Sequence, residues 1–195
     1  MFKRIAKEFK RHAPFTAFGA ITGIIIMFLF YRLPYRVSYN IFYTLHPIHV
    51  VLSALVTTSM YKLYQKGKVR IWILLLIGYV GSVGIATISD ILFPYLGGLL
   101  LGAKMGFHLS FIEKWWLINP LAILGIVIRY WRPATKIPHS GHVLISTWAS
   151  LFYITAFGIA NWLPLFPLVF LVLFFAVWIP CCVSDIVFPL LFVKK

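Results

Sequence analysis

The sequence predicts an all-α integral membrane protein of six transmembrane helices, arranged as two inverted-topology three-helix repeats. Three observations carry that prediction. Of 195 residues, 62% are hydrophobic and only 11% charged, against about 45–50% and about 25% in an ordinary globular domain. Uncharged stretches such as 17–30, 71–88 and 163–179 sit inside longer apolar runs, and roughly 20 such residues cross a bilayer as a helix. Finally, the chain repeats itself.

Taken in order, the expected spans are 14–31, 41–64, 71–97, 115–131, 139–160 and 163–192. Prolines at Pro34, Pro47, Pro120, Pro138 and Pro164 fall where a helix would start or stop. Residues 1–13 form a basic, amphipathic lead-in with Phe2, Ile5, Ala6 and Phe9 at near-helical spacing, suited to an anionic leaflet. Residues 98–113 hold several glycines and Lys104, and are expected to be an interfacial or re-entrant connection. The first repeat is then 14–97 and the second 114–195. Small residues such as Gly19, Gly23, Gly81 and Gly84 would let helices approach closely.

The net charge of +14 does not point to nucleic acid, because the basic residues fall between apolar segments rather than along one face. Fourteen of the eighteen collect in the N-terminal tail, in 62–70, in 129–136 and at the C-terminus. The positive-inside rule then puts both termini in the cytoplasm of a multi-pass protein, with the anionic cytoplasmic leaflet as a partner.

The duplication is most visible in polar residues. "LHPIHVVLS" (45–53) and "PHSGHVLIS" (138–146) pair His46, His49 and Ser53 with His139, His142 and Ser146 at an offset of 93. "SDILFPYL" from Ser89 pairs with "SDIVFPLL" from Ser184 at an offset of 95. Asp90 and Asp185 are the acidic residues within the apolar runs. Histidines at i and i+3 share a helical face, and imidazoles with a carboxylate suit Zn²⁺ or Fe²⁺. The expected metal ligands are therefore His46, His49 and Asp90 near one membrane face and His139, His142 and Asp185 near the other. His12, His108 and Cys181 are candidate further ligands; Cys181 precedes Asp185 by four residues, hence on its face. The competing use of these side chains is structural: boundary histidines, acidic side chains serving the helix breaks at Pro94 and Pro189, and a cysteine serving as a small core residue.

The function expected from this pattern is a metal-ion transporter or channel for a divalent transition metal, zinc or iron, with a homodimer giving so small a chain room for alternating access. The alternative is a membrane-embedded, metal-dependent or phosphatase-like hydrolase acting on a lipid headgroup; a second alternative is a non-catalytic scaffold subunit. For the hydrolase, "PHSGH" with Arg132-Pro133 resembles elements of the type-2 phosphatidic acid phosphatases. That resemblance implies His142 as the acid and Asp185 as its orienting carboxylate. Cys181 stands where that family has its third-motif histidine, and no Ser-Arg pair precedes it, so the nucleophile is missing.

Overall fold

The computed structural model describes residues 2–29, 33–132, 138–158 and 163–193, without the side chains of 2–9, 11–12, 138–140, 163 and 185–186. Among the described residues every regular element is helical. The helices are α1 (Phe2–Leu29), α2 (Tyr35–Tyr64), α3 (Ile71–Leu100), α4 (Trp115–Trp131), α5 (Pro138–Phe157) and α6 (Phe166–Cys182). A short turn, Ser110–Glu113, precedes α4, and α6 runs on through Val183–Val187 to Phe188–Leu191. Of the amphipathic segment 1–13, only the side chains of Lys10 and Ala13 fall within the described residues.

Helix α2 is the central element. It starts after Pro34, whose extended backbone cannot continue a helix backwards, and ends where Gln65 turns extended. Its buried face reads Ser38, Phe42, His46, His49, Ser53, Thr57, Tyr61, the i, i+3, i+4 rhythm of one helical stripe. The stripe packs along α5 and α4, while α1 covers the outer sides of α5 and α6.

Helix α3 is not a regular rod. It carries two π-helical turns, Val80–Gly84 and Ile88–Leu92, and the corresponding turn after α6 is Val183–Val187. Both Ser-Asp pairs of the sequence repeat therefore lie in widened turns. The cause is local: Pro94 and Pro189 have no N–H to return to the carbonyl four residues back, so the ladder slips to the wider i→i+5 pairing. Such turns are frequent at functional sites.

Close approaches depend on glycines. A Cβ on Gly81 would stand 2.5 Å from Thr57 Cγ2. One on Gly19 would stand 3.0 Å from Thr147 Oγ1, and one on Gly23 2.9 Å from Leu151 Cδ2. Gly84 faces only Val80 Cγ1 at 3.8 Å and carries no such contact. Gly125 is the tightest against main chain: its Cβ would meet Val51 O and Ala54 Cβ, each at 2.9 Å. Gly125→Ala is expected to destabilise the fold by about 1–3 kcal/mol, as overpacking does, because a backbone carbonyl cannot rotate away. Urea unfolding of the variant checks this; an unchanged midpoint would show that α2 and α4 separate freely.

The six-span expectation is corrected here. Among the described residues two helices, Tyr35–Tyr64 and Ile71–Leu100, have the length and hydropathy to cross a bilayer. The apolar stretches Ala13–Leu29, Trp115–Trp131, Gly141–Phe157 and Phe166–Cys182 fall below that test among the described residues. The expected sixth span, 163–192, begins as a 3₁₀ turn and continues from Phe166 through the π turn Val183–Val187 to Leu191. Much of the hydropathy serves internal packing: 56% of the most apolar window of α2 is buried inside the protein. Large apolar side chains also remain outside, among them Trp72, Leu100 and Trp131.

With the six spans go the inferences built on them: the multi-pass location with cytoplasmic termini, the anionic leaflet as partner, and the homodimer invoked for alternating access. The transporter or channel, the membrane-embedded hydrolase and the membrane scaffold subunit lose their architectural basis as well. The basic residues have other work. Lys62, for example, donates to Tyr130 O and lies 4.7 Å from the centre of that ring, tying the end of α2 to α4.

Candidate metal centre

The polar core is built around one carboxylate. Asp90, in the second π turn of α3, is fully buried. Its Oδ2 accepts hydrogen bonds from His46 Nδ1 at 2.9 Å and His49 Nδ1 at 2.7 Å. Its Oδ1 accepts from the Ser146 hydroxyl of α5 at 2.6 Å and from the Ser89 hydroxyl at 2.8 Å. Ser150, one turn along α5, donates to Ser89 O at 3.0 Å and fastens the same π turn. Thus the His-x-x-His of α2 meets the Ser-Asp of α3, and α5 supplies the serine that repeats Ser53.

Electrostatics fix the protonation pattern. Burial by itself would raise the Asp90 carboxyl; the charge interaction with His49 and the hydrogen bonds from both imidazoles outweigh it and hold the group below the usual carboxylate range. An ionised carboxylate only accepts. Both histidines therefore present an Nδ1–H to it and turn Nε2 away from the carboxylate.

The two Nε2 atoms face different surroundings. His46 lies stacked on Phe42, ring centroids 5.3 Å apart, and its Nε2 is buried without a hydrogen-bond partner. His49 stacks on His142 of α5, centroids 5.7 Å apart and planes 8° from parallel. The Nε2 of His49 stands 4.0 Å from Cys181 Sγ of α6, and Cys181 Sγ lies 3.8 Å from Ser146 Oγ. His46, His49, Asp90, His142 and Cys181 are all buried.

Two sets of three ligand atoms result, each with its atoms within 4.8 Å of one another: His46, His49 and Asp90, and His49, His142 and Cys181. Zinc bonds of about 2.0–2.3 Å place neighbouring tetrahedral ligands about 3.3–3.8 Å apart, so a contraction of about 1 Å brings either set to bonding distance. The cluster can coordinate a divalent metal ion. Charge agrees with this, since one carboxylate and one thiolate would neutralise a dication.

The sequence-predicted residues are thus distributed unevenly. His46, His49 and Asp90 come together. His142 and Cys181 join them through His49, although the sequence assigned them to a cluster on the opposite side. His12, His139 and Asp185 have side chains outside the described residues. His108 belongs elsewhere: its Nδ1 lies 3.0 Å from Glu113 Oε1 at a partly exposed site, where the Tyr43 hydroxyl also donates to Glu113 Oε2 at 2.9 Å. Burial first, and then Glu113, keep that Tyr43 hydroxyl protonated. Ser89, Ser146 and Ser150 are the functional residues the metal-ligand pattern missed. Ser146 carried a signal, its place in the repeat, but which carboxylate it would meet was not readable. Comparison of the chain with protein-family models, with curated proteins and with solved structures finds no match, so the reading of this centre rests on its geometry.

Proposed function

We propose that this is a helical metal-binding protein whose buried centre takes one divalent transition metal, with zinc preferred, on His49 Nε2, His142 and Cys181 Sγ. Asp90 acts behind His49: the carboxylate holds the Nδ1–H tautomer and aims Nε2 at the metal, the usual carboxylate–histidine–metal arrangement. The observation that carries this reading is the placement of Cys181 Sγ 4.0 Å from His49 Nε2, the ring atom turned away from Asp90. A thiolate beside two imidazoles favours zinc over the harder Fe²⁺. The other set is less suited, because an ion between His46, His49 and Asp90 would have to displace the two hydrogen bonds that order both rings. A metal held by three side chains keeps a fourth position for a further ligand, and the metal would supply Lewis acidity there.

Cobalt substitution tests the assignment. The full chain, stripped with chelator and reloaded with Co²⁺, is expected to bind about one ion and to show a thiolate-to-cobalt charge-transfer band in the near ultraviolet. Cys181→Ser should lose that band and keep weaker visible absorption, and His46→Ala should keep both. A spectrum indifferent to Cys181→Ser but abolished by His46→Ala would move the ion to the other set. Absence of cobalt uptake by the folded chain would end the metal reading.

A further inference from the structure

One turn beyond His49 on α2, the buried stripe continues with Ser53 and Thr57, and these face oxygens from two other segments. Ser184, in the π turn after α6, donates its hydroxyl to Gly81 O at 2.5 Å. The remaining approaches are longer: Ser53 Oγ to Ser184 Oγ 3.2 Å, Thr57 Oγ1 to Ser184 Oγ 3.3 Å, Thr57 Oγ1 to Ser184 O 3.4 Å and Ser53 Oγ to Gly81 O 3.5 Å. Three hydroxyls and two carbonyls meet at a point where Ser53, Thr57, Gly81 and Ser184 are all buried. The glycine is what lets the backbone come so near, since any side chain on Gly81 would collide with Thr57.

Hydroxyl hydrogen bonds favour about 2.7–2.8 Å and extend to about 3.0 Å, so four of the five contacts are long for that purpose. They have the spacing of ligands around a hard cation: oxygens at about 2.4 Å from an ion, in the middle of the calcium range, lie about 3.4 Å from one another in octahedral geometry. The donor set is neutral, five oxygens with no carboxylate among them, which suits a monovalent ion of calcium's size rather than calcium itself. The two carbonyls come from the π turns at Val80–Gly84 and Val183–Val187.

We propose that Ser53, Thr57, Ser184 and the Gly81 and Ser184 carbonyls form a sodium site, separate from the transition-metal centre and independent of that assignment. On binding, the Ser184 hydroxyl turns its proton away from Gly81 O, and both oxygens point lone pairs at the ion. The site is tested by thermal unfolding of the chelator-treated full chain in NaCl, KCl and choline chloride at equal ionic strength. Sodium at ten times its Kd should raise Tm by about 3–6 °C over choline, saturating with concentration and exceeding the effect of potassium. Thr57→Val and Ser53→Ala should remove the sodium-specific rise, and Thr57→Ser, which keeps the oxygen, should retain it. Should Thr57→Val fail to fold, the Ser53→Ala and Thr57→Ser pair decides. Equal Tm in all three salts, or a sodium effect untouched by Ser53→Ala and Thr57→Val, would overturn the proposal.

Discussion

Asp90→Ala is expected to destabilise the metal-free protein by about 3–5 kcal/mol, the range for removing one partner of a buried, hydrogen-bonded charge cluster. Four donors converge on this carboxylate, two imidazole N–H groups and two hydroxyls, and all four residues are buried. Alanine leaves them without an acceptor, and each orphaned group costs about 1–3 kcal/mol unless it finds another. Ser89 and Ser146 can recover in part by donating to nearby helix carbonyls, whereas the imidazoles are held by packing against Phe42 and His142. Urea unfolding monitored at two probes measures the change in midpoint at constant slope. Ser146→Ala, which removes one donor and leaves the carboxylate three others, should cost only about 1 kcal/mol. If Asp90→Ala cost no more than Ser146→Ala, the cluster would not be organised around the carboxylate.

The second large effect concerns metal affinity, and its ranking among variants is the informative part. His49→Ala should lower affinity for zinc by well over about 100-fold. It removes a ligand outright, and an orienting partner alone is worth about 10–100-fold. Asp90→Asn should fall in that lower range: the ring keeps its place, but the amide donates as well as accepts and no longer enforces the Nδ1–H tautomer. His46→Ala should be milder still, since His46 reaches the thiol-containing set only through Asp90. Competition against a chromophoric chelator gives the four affinities on one scale. The inverse order, with His46→Ala worse than Cys181→Ser, would place the ion between His46, His49 and Asp90.

Two features of the site are legible in the amino-acid sequence. The i, i+3 spacing of His46 and His49 puts both rings on one helical face whatever that helix packs against, and Asp90 stands out as a carboxylate in an apolar run. The all-helical character follows from apolar segments too long and too continuous for strands. Helix length is not legible in the same way. Hydropathy records that a residue avoids water, not whether a neighbouring helix or something else shields it. The apolar runs around 13–29, 115–131, 141–157 and 166–182 therefore read as spans, although among the described residues they fall below the test that Tyr35–Tyr64 and Ile71–Leu100 pass. Pro94 and Pro189 are visible as helix-breaking residues and each follows a π turn, but that Ser150 of α5 fastens the first of these turns through Ser89 O is not readable from the sequence.

What the sequence by itself determined is the chemistry available: two imidazoles in register on α2, a buried carboxylate, a second histidine pair and a thiol, each placed by local periodicity. Only the tertiary structure decided which of them meet. His142 is 93 residues from His49 and Cys181 is 132 residues from it, and no periodicity reaches across such distances. Their meeting follows from how closely α2, α5 and α6 pack. That closeness is set by small residues on the facing surfaces and by the four-fold-bonded Asp90, which turns two clusters expected apart into a single buried centre.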